Sequence, residues 1–99
     1  MKTNPDQMEK NAAQAETLLK ALASRNRLMI LCLLVEGECS VGQISESLAV
    51  NGPTVSQHLA LLRKDGLVTT RRQGQTIWYS IASEPARKLL ETLYKIYCT

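Results

Sequence analysis

Ninety-nine residues, 44% of them apolar and 21% charged, leave room for one compact domain with a radius of gyration of roughly 13 Å and exclude a two-domain or disordered chain. The longest apolar run, residues 28–35, is eight residues long against the ~18–20 of a membrane span, and the polar start has no signal-peptide core, so a cytoplasmic protein with no membrane partner is expected. The net charge of +3 is compatible with nucleic-acid binding without establishing it, and three cysteines in a reducing compartment point to core filler, metal ligands or redox sensors.

A flexible N-terminus is expected over about residues 1–6. From about Asp6 to Ala23, Met8, Ala12, Ala15, Leu18, Leu19 and Leu22 recur at three- and four-residue steps, the signature of an amphipathic helix whose stripe needs a partner. Ser24 offers an N-cap to a second helix, residues 25–35, which is apolar nearly all round and so is expected to be buried on most sides; Gly37 ends it. Ser40 caps a short third helix with Val41, Ile44 and Leu48 on one face.

The Asn51-Gly52 pair signals a turn, Pro53 suits the first turn of a fourth helix, and Gly66 stops that helix after about Asp65. The period then changes from 3.6 to 2. Residues 67–72 and 75–81 are β-branched and aromatic and read as two strands joined through Gln73-Gly74. Ser83-Glu84-Pro85 opens a last helix with Leu89, Leu90, Leu93, Ile96 and Tyr97 on its apolar side. The order is four helices, a hairpin and one helix. The fold class is therefore mainly α with a small β-hairpin, a single winged helix-turn-helix domain over residues 1–99.

In the fourth helix Val55, Leu59 and Leu62 fall within about 60° of one another at 100° per residue, so they face the core. Thr54, Gln57, Leu61 and Lys64 then point away from it, with Ser56 and His58 on the flanks. Short hydroxyl, amide and imidazole groups near a helix N-terminus suit base edges in a major groove. Arg63, Lys64, Arg71 and Arg72 flank this surface, and between Thr54 and Trp78 only Asp65 opposes them, a local +3. Phosphate neutralisation would use that charge. The plainer alternative is that these polar groups only solvate an ordinary helix.

The run Val50-Asn-Gly-Pro-Thr-Val-Ser-Gln-His-Leu-Ala-Leu-Leu-Arg-Lys-Asp-Gly-Leu-Val68, with Arg71-Arg72, Gly74, Tyr79 and Ile81, resembles the ArsR/SmtB family of winged-helix repressors from about Leu18 to the end. The resemblance implies a homodimer on double-stranded operator DNA. It makes the helix from Pro53 the reading helix, with Ser56 and His58 in its reading segment, and residues 71–75, ending at Gln75, the wing.

Many members of that family sense metals, but Ser40 and Gly42 stand where thiolates would be needed, and the single histidine, His58, lies in the reading helix. No metal and no cofactor is expected, although an unusual three-thiolate site stays open as an alternative. Cys32 in Ile-Leu-Cys-Leu-Leu and Cys98 in Lys-Ile-Tyr-Cys instead resemble the paired cysteines of the BigR/SqrR/HlyU-like branch of sulfide and persulfide sensors. What that implies is repression by the reduced protein, with release of DNA when reactive sulfur species link the two thiols.

Cys98, near the chain end with Lys95 one turn away, is expected to be attacked first, and Cys32, buried in an apolar helix, to resolve the adduct. Cys39 reads as a bystander or surface thiol. The plainer alternative makes both sensing thiols inert, with the protein binding DNA constitutively or activating by displacing another repressor. An enzyme is not expected: there is no Cys-x-x-Cys, no strand–helix alternation and no second histidine. Leu18, Leu22, Leu89, Leu93 and Tyr97 on the first and last helices form the expected dimer interface, and the aromatics Trp78, Tyr79, Tyr94 and Tyr97 are read as core or interface packing.

Overall fold

A computed structural model describes residues 4–98. The chain forms α1 (Pro5–Leu22), α2 (Arg25–Glu36), α3 (Val41–Leu48), α4 (Gly52–Lys64), β1 (Val68–Gln73), β2 (Thr76–Ile81) and α5 (Glu84–Tyr97). Each helix start is satisfied locally by a short polar side chain that accepts backbone N–H bonds left over at the first turn: Asn4 caps α1, Ser24 α2, Ser40 α3, Asn51 α4 and Ser83 α5. At α3 the bond is reciprocal, Gln43 N–H donating to Ser40 Oγ at 3.2 Å and Ser40 N–H to Gln43 Oε1 at 3.1 Å. The first three residues of the expected flexible segment lie outside the described residues. Its other half does not match the expectation, because Asn4 is a cap and Pro5 and Asp6 belong to the first helical turn.

α2 is the hub, touching α1, α3, α4, α5 and β2. Ile30, Leu31 and Leu34 on its inner stripe, Ile44, Val55, Leu59, Leu62 and Leu90 are all fully buried. Sequestering each such side chain favours folding by about 1.5–3 kcal/mol. The expectation that α2 is buried on most sides holds in part: Leu28, Leu33 and Val35 are half-buried against the core, but Cys32 and Glu36 are exposed. The side of the helix that carries Cys32 and Glu36 borders a groove.

The radius of gyration is 14.9 Å and the long axis 49 Å, more extended than the sequence suggests. α1 is the reason. Its C-terminal residues Leu18, Ala21 and Leu22 reach the core, whereas residues 4–17 are exposed throughout. Arg27 secures the junction by donating from Nε to Ala21 O at 2.8 Å and from Nη2 to Lys20 O at 3.2 Å, so a cation meets the carbonyl end of the helix.

The two strands pair antiparallel, Val68 with Ile81 through Gln73 with Thr76. The turn is Gly74-Gln75, one residue later than expected, with Gly74 at φ 62°, where only a residue without Cβ sits at ease. Cys39 adds a short third partner at the hairpin edge, exchanging backbone bonds with Tyr79 at 3.0 and 2.8 Å. No helix among the described residues is long and apolar enough to cross a membrane.

Candidate nucleic-acid interface and thiol groove

The turn between α3 and α4 is built differently from a simple Asn-Gly turn. Ala49 takes the left-handed conformation at φ 54° and ends α3, while Asn51 is extended and its side chain accepts the Thr54 N–H at 2.8 Å. Ser45 Oγ donates to Val50 O at 2.5 Å and holds the connecting residue. The turn therefore fixes how far α4 stands from α3 before any ligand arrives.

On α4 the expected inner face is observed: Val55, Leu59 and Leu62 have no solvent exposure. Ser56, Gln57, Ala60, Leu61, Arg63 and Lys64 are exposed, and Thr54 and His58 are half-buried. Among the described residues the His58 Nδ1 is buried with no hydrogen-bond partner, so the Nε2 edge is the one through which this ring can hydrogen-bond outward. Ser56, Leu59, Ala60, Arg63 and Lys64 line a shallow notch of about 460 Å³ against Tyr79 of β2. Tyr79 closes the notch from a strand that local patterning does not connect with α4.

In the wing, Arg72 and Gln75 are exposed, and Arg72 Nε donates to Gly74 O at 3.2 Å. Arg71 is not the open cation that its sequence position suggests. Its Nε donates to Glu38 Oε2 at 2.8 Å and Oε1 at 3.1 Å, its Nη2 also meets Glu38 Oε1, and its Nη1 donates to Gln73 Oε1 at 2.9 Å. The guanidinium lies 5.7 Å from the centroid of Trp78, within cation–π range. Hydrogen bonding to Arg71 holds the Glu38 carboxyl below its ordinary value, and the same bond raises Arg71 further. With Glu38 included, the cations Arg63, Lys64, Arg71 and Arg72 face two acids, and the local excess falls to +2. Glu38 lies 33 residues from Arg71, and no local spacing rule announces it.

The second site lies on the far side of α2. Cys32 and Cys98 line one groove of about 660 Å³ between α2 and α5, walled by Leu28, Met29, Leu33 and Val35 and by Leu90 and Tyr94. Both thiols are exposed, which corrects the expected burial of Cys32. The Cys32 thiol is nonetheless pushed up, first by partial desolvation, then by the neighbouring Cys98 and by Glu36 one turn on. Glu36 was discoverable in the sequence, since it stands four residues after Cys32 on the same helix face.

Cys39 is away from this groove and half-buried at the hairpin edge, its Sγ 3.7 Å from Gly37 O. It is not a surface thiol, and its pKa too is raised, by desolvation and then by Glu36 and Glu38. A site uniting all three thiolates is not what this geometry offers.

Of the expected interface residues, Leu22 belongs to the core and Leu18 and Leu89 pack against it. Leu93 is half-buried and Tyr97 is exposed. On these two helices the exposed apolar surface comprises the expected Tyr97 together with Met8 and Leu19 of α1 and Tyr94 and Ile96 of α5. Tyr94 and Tyr97 thus pack no core in the single chain, whereas Trp78 and Tyr79 are half-buried in the hairpin.

A helix-turn-helix whose second helix and adjoining hairpin present amides, hydroxyls and cations on one surface defines a winged-helix DNA-binding regulator. The model of the family described as "Bacterial regulatory protein, arsR family" matches residues 24–70. The chain belongs to this family; it is a transcriptional regulator and not an enzyme. It is 47% identical over 95 residues to the transcriptional activator HlyU of Vibrio cholerae, spanning 96% of this chain and 88% of that protein.

The structure of reduced HlyU from Vibrio cholerae superposes with a TM-score of 0.90 at 48% identity, covering 93% of this chain and 97% of that one. For the transcriptional repressor BigR of Xylella fastidiosa the TM-score is 0.87 at 41% identity, covering 98% and 99%. A homodimeric winged helix-turn-helix DNA-binding domain from Mycobacterium bovis, solved by NMR, gives a TM-score of 0.80 at 34% identity over 97% of this chain and 89% of that one.

Proposed function

We propose that the chain is a cytoplasmic homodimeric repressor that holds operator DNA when reduced and releases it when reactive sulfur species link Cys32 to Cys98. The observation that carries the switch is the shared groove: both thiols open into it, and Cys98 is close enough to contribute, after desolvation, to raising the Cys32 thiol. Dimerisation is supported by the exposed apolar surface of α1 and α5 and by the homodimeric relative. Two copies would set two α4 helices on successive major grooves about 34 Å apart, which supplies the specificity that one short helix lacks. Thr54, Ser56, Gln57 and His58 are assigned to base edges, and Arg63, Lys64, Arg72 and Gln75 to the backbone.

The chemistry balances without a cofactor. The Cys98 thiolate attacks the sulfane sulfur of a persulfide or polysulfide, forming a Cys98 persulfide and expelling the donor's remaining sulfur as a thiolate. The Cys32 thiolate then attacks Cys98 Sγ, expels hydrosulfide and leaves a disulfide. Attack on the sulfane sulfur bonded to Sγ in a Cys98 hydropolysulfide instead expels the terminal sulfur as hydrosulfide and retains sulfur in the bridge. The two thiols lose two electrons and two protons, and the sulfur donor accepts the electrons. The bridge would tie the last turn of α5 to the middle of α2. Since α5 carries interface surface and α2 supports the reading head, the setting of the two heads changes, and 1.4 kcal/mol of misfit weakens DNA binding tenfold.

Binding to an in vitro selected operator by reduced, persulfide-treated and peroxide-treated protein, with Cys32→Ser and Cys98→Ser alongside, tests the reading. Persulfide is expected to weaken binding by the wild-type protein at least tenfold and leave both variants unaffected. Equal affinity under every treatment overturns the switch, and a response to peroxide alone makes the protein a general oxidant sensor. That the Vibrio cholerae relative is a transcriptional activator favours a second reading, activation; in it the same DNA contacts would displace another repressor, with the thiols inert.

A further inference from the structure

The contact between Glu38 and Arg71 joins the α2–α3 connection to the wing. Cys39 pairs through its backbone with Tyr79 of β2, which sets Glu38 beside the hairpin on the face that carries Arg71 and Trp78. Three groups occupy the guanidinium: Glu38 on its Nε and Nη2 side, Gln73 at Nη1 and the Trp78 ring. A carboxylate gripping an arginine through two adjacent nitrogens has the geometry with which a phosphodiester grips it. The pair is also solvent-exposed, with half the Arg71 side chain accessible, so it is of the weak, exchangeable kind.

We propose that Glu38 is an internal stand-in for a DNA phosphate: it occupies Arg71 in the unbound protein and must be displaced before the wing can make that phosphate contact. The inference rests on the DNA-binding reading and adds a residue outside both the reading helix and the hairpin. Glu38 then sets affinity and salt dependence without touching DNA. When Arg71 moves to a phosphate, the freed carboxylate recovers a counterion, so one fewer ion is released overall than the count of cations suggests.

The test uses a 30-base-pair mixed-sequence duplex, because the term is independent of sequence, with affinities measured between low and moderate salt for wild type, Glu38→Gln, Arg71→Ala and the double variant. Both side chains are exposed, so neither change opens a cavity. Glu38→Gln is expected to bind about two- to fivefold more tightly at low salt, with a slope of log affinity against log salt steeper by about one. That gain should vanish when Arg71 is already alanine, and it is this dependence that separates a local clamp from a general removal of negative charge. Trp78 is the only tryptophan, and its fluorescence should change on DNA addition in wild type as the guanidinium leaves the ring.

An equal gain in the Arg71→Ala background overturns the proposal in favour of long-range charge. A loss of affinity in Glu38→Gln overturns it in favour of a splint that holds the wing in place. If wild type binds duplex and the cycle shows no coupling, only the stand-in falls; if wild type binds no duplex even at low salt, the DNA reading falls and takes the stand-in with it.

Discussion

The two sides of α2 are finished in opposite ways. On one side stand α3, α4 and the hairpin, where Ile44, Val55, Leu59 and Leu62 are completely buried and the connections are pinned by the Ser45–Val50 bond, the Asn51 cap and the Cys39–Tyr79 pairing. On the other side α1 and α5 leave Leu19 57% and Tyr97 79% exposed, and Cys32 and Cys98 open into a groove. Side chains that must meet base edges need fixed positions, and a braced scaffold provides them. Surface that must accept a second chain, or a reagent, cannot be covered by its own fold.

The largest effect tests the braced side. Leu59→Ala removes three heavy atoms from a fully buried site and is expected to cost about 3 kcal/mol of stability in urea unfolding. Leu19→Ala, measured on dilute monomer, should change it by under about 0.5 kcal/mol. Similar costs at both positions would erase the contrast. The ranking should invert for association: Leu19→Ser with Tyr97→Ser is expected to raise the dimer dissociation constant about a hundredfold, or roughly 2.7 kcal/mol, by sedimentation equilibrium. An unchanged constant would remove α1 and α5 from the interface.

The same contrast decides what was legible in the sequence. The inner face of α4 was readable because Val55, Leu59 and Leu62 repeat at helical spacing beside polar neighbours, and that pattern has one packing solution. The outer side of α2 was not, because Leu28, Cys32 and Leu33 look alike in sequence whether a helix covers them or they wait in an open groove. The hairpin turn lies one residue later than the pattern predicts, since Gly74 fits either central position of a two-residue turn. Asn51 was read as half of a turn when it is a cap; both roles use the same side-chain oxygen. Glu38 is not legible from local charge patterning, because its partner lies 33 residues away and is reached only through tertiary pairing.

A smaller effect is expected in the turn that spaces α3 from α4. Ala49 is the one non-glycine residue at positive φ among the described residues, a conformation that costs an L-residue roughly 1–2 kcal/mol. Ala49→Gly relieves the clash but gives the unfolded chain more freedom, which returns about 0.4–1 kcal/mol. The net expectation is a gain of about 0.5 kcal/mol in thermal or urea unfolding. Destabilisation instead would mean that the Ala49 methyl packs against the turn and helps to brace it.

The smallest effect probes the open side through its electrostatics. The Cys32 thiol is raised by desolvation, then by Cys98, then by Glu36, so at neutral pH little of it is thiolate and it reacts slowly with an alkylating label. In a Cys39→Ser, Cys98→Ser background the labelling rate should climb about tenfold per pH unit and level off above the ordinary thiol value. The folded state binds this proton more tightly than the unfolded chain does. The stability it contributes is therefore complete below the unfolded thiol pKa and is lost as pH rises through the folded one. In that background desolvation and Glu36 are the causes left; Glu36→Gln removes the weaker of them and should speed labelling at pH 7.5 about twofold, the scale of one exposed charge a helical turn away. If Glu36→Gln leaves the rate unchanged while raised salt slows it, the groove is set by the diffuse positive field of the whole chain, and Cys32 is less singled out by its helix than its position four residues before Glu36 implies.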